Sequence, residues 1–183
     1  TRTPSSAASD VYKRQHPWLS ENFGEPVLIT VGRLTKNKDH KTLLEAFRLI
    51  NDTIPSRLLI LGEGPERTSL EKIITETGLA DRVQLPGFVD TPWAWMAKSS
   101  LFVLSSFAEG SGNVLTEAMA VGTPVVSTDC PSGPSEMLDG GRIAPLVPVG
   151  DAKALAAACV DVLNSGIASS LLDEAVALSL IHI

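Results

Sequence analysis

Residues 26–52 read PVLITVGRLTKNKDHKTLLEAFRLIND and contain the clearest structural pattern of the chain. The first seven letters form an apolar run of strand length, rich in β-branched and large aliphatic residues. A glycine and a basic loop follow, and residues 40–52 then repeat apolar side chains at helical spacing. One face of that helix carries Leu43, Leu44, Phe47 and Ile50. The stretch is therefore predicted to form one strand–loop–helix unit.

The same alternation continues along most of the chain. The six apolar runs are PVLITVG, RLLILGEG, RVQLPG, SLFVLSS, TPVVSTD and APLVPVG. The helix candidates between them are residues 40–52, 66–77, 113–121 and 151–164, the last with Asp151 as its N-cap and Gly166 close behind its end. Such apolar strands are typical of a parallel sheet covered on both faces. The sequence predicts the α/β class: a single Rossmann-like domain over residues 24–166, with about six parallel strands and helices on both faces.

The two ends differ from the middle of the chain. Residues 1–15 are polar without a sustained period, and we expect residues 1–23 to be a linker or a non-native leader. Residues 167–183 are expected to be a C-terminal tail, and its last five letters, SLIHI, resemble non-native sequence. A native linker and a frayed terminus are the alternative.

Composition excludes several classes of partner. The chain has 183 residues, a hydrophobic share of 44% and a net charge of −6, which disfavours binding to nucleic acid or to an anionic membrane surface. No apolar run has the length of a membrane span. Cys130 and Cys159 lie far apart without a CxxC pair, so neither a metal site nor a disulfide is expected. These features favour a reduced, cytoplasmic setting.

In an open parallel sheet, ligands bind beyond the carboxyl ends of the strands. The loop after the first run places Arg33 and Lys38 five positions apart beside Gly32, just before a helix. A guanidinium and an ammonium in that position are able to flank a diphosphate. The alternative is that both are ordinary solvated charges.

The loop after the fourth run is the most informative one, because residues 109–117 read EGSGNVLTE. Its small residues allow backbone N–H groups to approach a ligand, and the helix that begins near Asn113 turns its positive end toward an anion. Glu117, about one turn into that helix, is placed to accept hydrogen bonds from a ribose diol, while Glu109 extends toward a sugar. Alternatively, Glu109 is a loop charge and Glu117 stabilises the helix dipole.

Three motifs together resemble family 4 of the retaining glycosyltransferases, which have the two-domain GT-B fold. They are G-R-L-x3-K, E-x7-E and E-A-M-A-x-G-x-P-V-V, and the resemblance covers about residues 25–165. It implies that the chain is the C-terminal, donor-binding half of such an enzyme. By this resemblance, Arg33 and Lys38 bind the donor diphosphate, Glu109 holds the transferred sugar, and Glu117 binds the ribose.

The resemblance also implies a complete donor site. Arg33, Lys38 and Glu109 are its catalytic residues, the backbone around Asn113 faces the phosphates and the sugar, and residues 85–89 form the base-contacting loop. The predicted donor-binding residues are Gly32, Arg33, Lys38, Gly87, Phe88, Val89, Glu109, Gly110, Ser111, Gly112, Asn113, Val114, Leu115 and Glu117.

Two departures bear on the donor. Ser111 stands where the family usually has Phe or Tyr, which affects how the face of the sugar is packed. Residues 127–136, STDCPSGPSE, resemble members that use UDP-galactose or UDP-N-acetylhexosamines, and so favour a UDP-sugar.

No cofactor and no metal are expected, because fixed cations and a helix N-terminus can stabilise the departing diphosphate.

The predicted function is therefore transfer of a hexosyl group from a nucleotide sugar to an acceptor glycan or lipid, in glycan, polysaccharide or glycolipid synthesis. The acceptor would bind through an N-terminal domain that this chain lacks, and that domain could also bring it to the inner membrane face. Alone, the chain is expected to be inactive. A noncatalytic nucleotide-binding module and a UDP-sugar epimerase-like enzyme are the alternatives, whereas a dehydrogenase is disfavoured because no G-x-G-x-x-G follows the first strand.

Overall fold

The computed structural model describes residues 16–21, 23–110 and 113–181. Six strands form one sheet in which every pairing is parallel, in the order β3-β2-β1-β4-β5-β6. The strands are β1 Val27–Val31, β2 Arg57–Leu61, β3 Val83–Gly87, β4 Leu101–Leu104, β5 Val125–Thr128 and β6 Leu146–Val147. This doubly wound order confirms the predicted fold class, and all six strands lie within the predicted apolar runs.

Seven α-helices accompany the sheet in the described ranges. They are α1 His40–Thr53, α2 Arg67–Glu76, α3 Pro92–Met96, α4 Asn113–Ala120, α5 Pro134–Met137, α6 Ala152–Ser165 and α7 Ser169–Ile181. Short 3₁₀ turns occur at Pro17–Leu19, Lys36–Lys38 and Asp139–Gly141. The four long helices predicted from periodicity are present, and none of their ends is shifted by more than one residue. Asp151 caps α6 as predicted, because its side chain accepts a hydrogen bond of 2.9 Å from the Ala154 amide.

The apolar strands are buried because helices cover both sides of the sheet. On one side, α1, α2 and α6 supply one core through Phe47, Leu70 and Leu155. On the other side, α3, α4 and α7 contribute Met96, Leu115, Ala175 and their neighbours to a second core. Two separate cores explain why the strands read as continuous apolar runs rather than as alternating ones.

The packed unit extends beyond both predicted boundaries. Leu19 is buried in the second core, although residues 1–23 were expected to be a leader or linker. Residues 167–183 were expected to be a tail, but α7 occupies most of this segment and buries Leu172 and Ala175. Burial of these apolar side chains against the second core gives a physical reason for the helix to dock. Residues 1–15 and 182–183 lie outside the described residues.

Within the described ranges, no single helix combines the length and apolar composition that a membrane span requires. Helices Ala152–Ser165 and Ser169–Ala177 meet that requirement only together, across a bend of 119°.

Candidate functional site

Strands β1, β2, β3 and β4 lie side by side, so their carboxyl ends open onto one rim of the sheet. Backbone hydrogen bonds join the loops beyond these ends. The Leu34 amide donates to the Glu63 carbonyl at 2.9 Å, and the Gly62 amide donates to the Gly87 carbonyl at 2.8 Å. The loops after three neighbouring strands are therefore fixed relative to one another. This rim contains the residues on which the sequence prediction depends.

Lys38 and Glu109, which are 71 positions apart in the chain, form an ion pair on this rim. The Lys38 Nζ atom lies 2.6 Å from Oε2 and 2.7 Å from Oε1 of Glu109. Their side chains are only 19% and 5% exposed. The hydroxyl of Ser106 also donates a hydrogen bond to Oε1 of Glu109. Glu109 is thus a largely buried carboxylate with two donors directed at it.

The two loops that carry this pair are held together by further hydrogen bonds. The Phe107 amide donates to the Asn37 carbonyl at 2.8 Å. The Ser105 hydroxyl donates to the Lys38 carbonyl at 2.9 Å, and the Thr128 hydroxyl donates to the Ser106 carbonyl at 2.7 Å. Buried hydroxyls from β4 and β5 therefore set the position of the ion pair. Gly32 lies beside it, since a Cβ on Gly32 would be 3.5 Å from Cε of Lys38.

A cleft of about 400 Å³ opens between the loops that follow β1, β2 and β3, and Gly32, which lies beside Lys38, lines it. Phe88 is 76% exposed at its edge. The lining residues are Val31, Gly32, Arg33, Leu61, Gly62, Glu63, Phe88, Val89 and Pro92. The structure thus brings together Gly32 and Arg33 with Phe88 and Val89, which were predicted from separate motifs. Its apolar side chains and the guanidinium of Arg33 suit a flat ring joined to an anion, and the carboxylate of Glu63 in the lining is paired with Arg67.

Arg33 and Lys38 occupy different environments, although both were predicted to bind a diphosphate. Arg33 is exposed, and within residues 16–21, 23–110 and 113–181 it has no ion-pair partner. Lys38 is instead held by Glu109. Arg33 is therefore available to an anion in the cleft, while Lys38 must first exchange its partner.

Glu63 is a cleft residue that the set of predicted donor ligands did not include. Its carboxylate pairs with Arg67 at 2.6 Å, and this hydrogen-bonded guanidinium lowers the pKa of Glu63. A Cβ on Gly87 would lie only 2.9 Å from Oε1 of Glu63, and Gly87 has a φ of +90°. The glycine allows the end of β3 to lie against this carboxylate. The signal that could have identified Glu63 is its position directly after β2.

Helix α4 begins at Asn113, as predicted for the anion-facing helix, and follows the loop that carries Glu109. Leu115 is buried in the second core, whereas Asn113 and Glu117 are exposed and Val114 is half-buried. Within the part of the chain that the structure describes, Glu117 has no ion-pair partner. The predicted ligands Ser111 and Gly112 lie outside the described residues. Gly110, the last described residue before them, is exposed.

Two other titratable side chains lie near the rim without suiting proton transfer or nucleophilic attack. His40, the first residue of α1, is 4% exposed, and its pKa is lowered to about 4 by burial and by the charge of Lys38. It is therefore neutral at neutral pH. Burial, together with the charge of Glu109, raises the pKa of the Cys130 thiol. In the described ranges, no three His, Cys, Asp or Glu side chains are grouped so as to hold a metal ion.

The fold and the rim define a doubly wound α/β domain whose cleft and exposed cation fit an anionic ligand with a flat ring. The chain belongs to the family Glycosyl transferases group 1, whose model matches residues 25–165. This membership agrees with the resemblance of the motifs to glycosyltransferases.

Two bacterial relatives have similar sequences. One is the lipopolysaccharide core biosynthesis glycosyltransferase LpsE of Rhizobium meliloti, which is 38% identical over 133 residues, or 73% of this chain and 38% of the relative. The other is N-acetylgalactosamine-N,N'-diacetylbacillosaminyl-diphospho-undecaprenol 4-alpha-N-acetylgalactosaminyltransferase of Campylobacter jejuni. It is 36% identical over 139 residues, or 70% of this chain and 38% of the relative.

Two solved structures have a similar fold. Sucrose-phosphate synthase from Thermosynechococcus elongatus has a TM-score of 0.75 at 28% identity, covering 97% of this chain and 44% of that one. Anabaena HepE, solved in complex with UDP and glucose, has a TM-score of 0.78 at 24% identity, covering 97% of this chain and 48% of that one. The chain spans less than half the length of each of these four proteins.

Proposed function

We propose that this chain is the nucleotide-sugar-binding part of a retaining glycosyltransferase of family 4. The enzyme would transfer a hexosyl group from a UDP-linked donor to an acceptor in glycan, polysaccharide or glycolipid synthesis. One observation carries the proposal. Lys38 and Glu109, predicted as donor ligands from two different motifs, lie 2.6 Å apart on the rim where parallel sheets bind ligands. The cleft lined by Arg33 is also lined by Gly32, which lies beside Lys38.

Each part of the donor has a matching part of the site. The base fits the apolar part of the cleft around Phe88 and Val89, and Arg33 is placed to meet the diphosphate. The N-terminal backbone amides of α4 supply further donors to the phosphates. Glu117 would accept hydrogen bonds from the ribose, and Glu109 from hydroxyls of the sugar.

The chemical contribution of these residues is electrostatic. When the bond between the sugar and the diphosphate breaks, negative charge builds on the departing phosphate oxygen. Arg33, Lys38 and the N-terminus of α4 are positive groups that would stabilise this charge, and each such donor commonly contributes about 3 kcal/mol. On this proposal the reaction needs neither a metal nor another cofactor. Glu109 orients the sugar, and acceptor-binding groups would come from a second domain.

Likeness to other proteins supports the proposed donor. The Campylobacter relative is named for transfer of N-acetylgalactosamine, and HepE was solved in complex with UDP and glucose. Residues 127–136 resemble family members that use UDP-linked sugars of this kind. These likenesses support a UDP-hexose or a UDP-N-acetylhexosamine as the donor. The acceptor is proposed to be a glycan or a glycolipid.

Nucleotide binding tests the donor site. Calorimetric titration of the folded chain with UDP, GDP and ADP is expected to show selective binding of UDP. The Arg33→Ala variant should lose about 10- to 100-fold in affinity, because a charge-assisted contact contributes about 1.5–3 kcal/mol. Lys36→Ala is the matched control, since Lys36 is an exposed cation of the same loop outside the predicted site. Equal losses in the two variants, or no nucleotide binding by the folded wild type, would contradict the proposal.

Catalysis needs a second experiment. With the chain extended by an acceptor-side domain, sugar transfer from UDP-glucose, UDP-galactose and UDP-N-acetylglucosamine is measured, and the anomeric proton of the product is read by NMR. An unchanged anomeric configuration is expected for a retaining enzyme. Binding of UDP without any sugar transfer would favour the noncatalytic nucleotide-binding module instead, and interconversion of the hexoses would favour the epimerase.

A further inference from the structure

The ammonium group of Lys38 has two competing partners in the proposed donor complex. In the structure it contacts both carboxylate oxygens of Glu109, at 2.6 and 2.7 Å. In the proposed complex it would contact the diphosphate instead. Binding any nucleoside diphosphate at this lysine therefore requires the contact with Glu109 to weaken or break.

Breaking this contact is unfavourable because of where Glu109 lies. Its side chain is 5% exposed, and of the two donors that the described part of the chain directs at it, the Ser106 hydroxyl alone would remain. A carboxylate that is buried without a cation is poorly solvated, since water cannot replace the lost partner. A ligand that binds Lys38 without donating a hydrogen bond to Glu109 therefore binds less tightly.

The intact donor and the product differ in whether they can donate hydrogen bonds to Glu109. A nucleotide sugar carries hydroxyl groups that can donate hydrogen bonds to Glu109 while its diphosphate occupies Lys38. The nucleoside diphosphate that remains after transfer has no sugar beyond the phosphates. Among the described residues, it would leave the Glu109 carboxylate with the hydroxyl of Ser106 as its one remaining donor.

We infer that the Lys38–Glu109 ion pair makes the site discriminate between the intact donor and the nucleoside diphosphate product, and so favours release of the product. This inference rests on the proposed function. Glu109 then determines specificity in addition to orienting the sugar. Ser106 is a positioning residue that keeps the carboxylate within reach of Lys38 when no ligand is bound.

The test compares the affinities for UDP and for UDP-sugars in three proteins. Dissociation constants are measured by calorimetry for UDP, UDP-glucose, UDP-galactose and UDP-N-acetylglucosamine, with wild type, Glu109→Gln and Glu66→Gln. Glutamine removes the charge that holds Lys38 while keeping the shape of the side chain. Glu66→Gln is the matched control, because it removes a carboxylate from the start of α2, beyond β2, where its partner is Lys41 at 3.6 Å.

Wild type is expected to bind its preferred UDP-sugar more tightly than UDP. Glu109→Gln should tighten UDP binding about tenfold, because UDP no longer has to separate Lys38 from a buried carboxylate. The same variant should reduce the preference for the UDP-sugar over UDP by at least that factor. Glu66→Gln should leave both affinities within about twofold, because Glu66 does not line the cleft and its partner is Lys41 rather than Lys38.

The outcomes separate this inference from the proposed function. If UDP binds to wild type but Glu109→Gln binds it equally or more weakly, the inference is wrong and the donor site stands. The same conclusion follows if Glu66→Gln tightens UDP as much as Glu109→Gln does. If a folded wild-type chain, checked by circular dichroism, binds neither UDP nor any of the UDP-sugars, the proposed function and the inference both fail.

Discussion

A Cβ atom on Gly62 would lie 1.9 Å from the carbonyl oxygen of Gly32. Gly62 also has a φ of +132°, which side chains of L-residues rarely adopt. The loops after β1 and β2 therefore approach each other at a distance that only a glycine permits. Because Gly32 and Arg33 line the cleft on this rim, the close approach determines the shape of the candidate site.

Substitution of Gly62 should consequently destabilise the chain. Gly62→Ala is expected to lower the free energy of unfolding by about 2–4 kcal/mol, from the backbone clash and the unfavourable φ together. Gly78→Ala is the control, because Gly78 has a φ of +71° but nothing within 4 Å of its Cβ position. Its expected loss is about 1 kcal/mol. Urea unfolding gives both values, and similar losses for the two variants would show that the contact with Gly32 is readily relieved.

The ion pair between Lys38 and Glu109 should be visible as coupling between their substitutions. Lys38→Met leaves a buried carboxylate without its cation and should lower the free energy of unfolding by about 1–3 kcal/mol. Glu109→Gln in the same background should then cost less than it does in wild type, with a coupling energy of about 1–2 kcal/mol. Urea unfolding of the two single variants and the double variant measures this cycle. Additive losses would indicate that the pair contributes no net interaction.

Glu117 is predicted to act on the ribose of the donor. It is exposed and unpaired among the described residues, so Glu117→Ala should change the free energy of unfolding by no more than about 0.5 kcal/mol. The affinity for UDP should nevertheless fall about tenfold or more, because two hydrogen bonds to a charged group are lost. Wild type should prefer UDP to 2′-deoxy-UDP, and the variant should bind the two about equally. A variant that keeps the full preference would place the ribose elsewhere.

His40 should make the stability of the chain depend on pH. Its pKa is lowered to about 4 in the folded chain, chiefly by burial, whereas an ordinary histidine in the unfolded chain titrates at 6.5. As the pH falls below 6.5, His40 binds a proton in the unfolded chain but not yet in the folded chain. The free energy of unfolding therefore decreases from pH 6.5 toward pH 4. The expected loss from His40 is about 2 kcal/mol between pH 7 and pH 5. The free energy of unfolding is measured with urea at both pH values. Between pH 7 and pH 5 it should fall by about 2 kcal/mol less in His40→Gln than in wild type. An equal fall in the two proteins would mean that other groups cause the pH dependence.

Both cysteines should be unreactive in the folded chain. Cys159 is fully buried and Cys130 nearly so, and burial raises the pKa of each thiol, which suppresses the reactive thiolate. A disulfide reagent such as DTNB is therefore expected to label the native chain far more slowly than the chain in urea, where both thiols react. Cys130→Ser identifies which thiol accounts for any residual reaction. A rapid phase from one native thiol would show that its site opens to solvent.

The sequence predicted the sheet well because each strand carries its own signal. Runs such as those that contain β1 and β4 are mostly apolar, and turn residues bound them, so their length and burial can be inferred locally. The C-terminal helix α7 was less predictable. Its apolar residues do not fall on one clear face. Its docking depends on the shape of the second core, and that shape cannot be predicted from a local sequence pattern.

By itself, the sequence determined the succession of strands and helices along the chain. It also placed Arg33, Lys38, Glu109 and Glu117 after strand ends or at a helix start. These are local properties, set by side-chain size, backbone preference and periodicity. Only the tertiary structure decided that Lys38 is held by Glu109 while Arg33 is left exposed. That contact joins residues 71 positions apart, and it exists because β1 pairs with β4, with Leu28 opposite Leu101. Such pairing depends on how the helices pack across the whole sheet, and one segment of sequence cannot specify it alone.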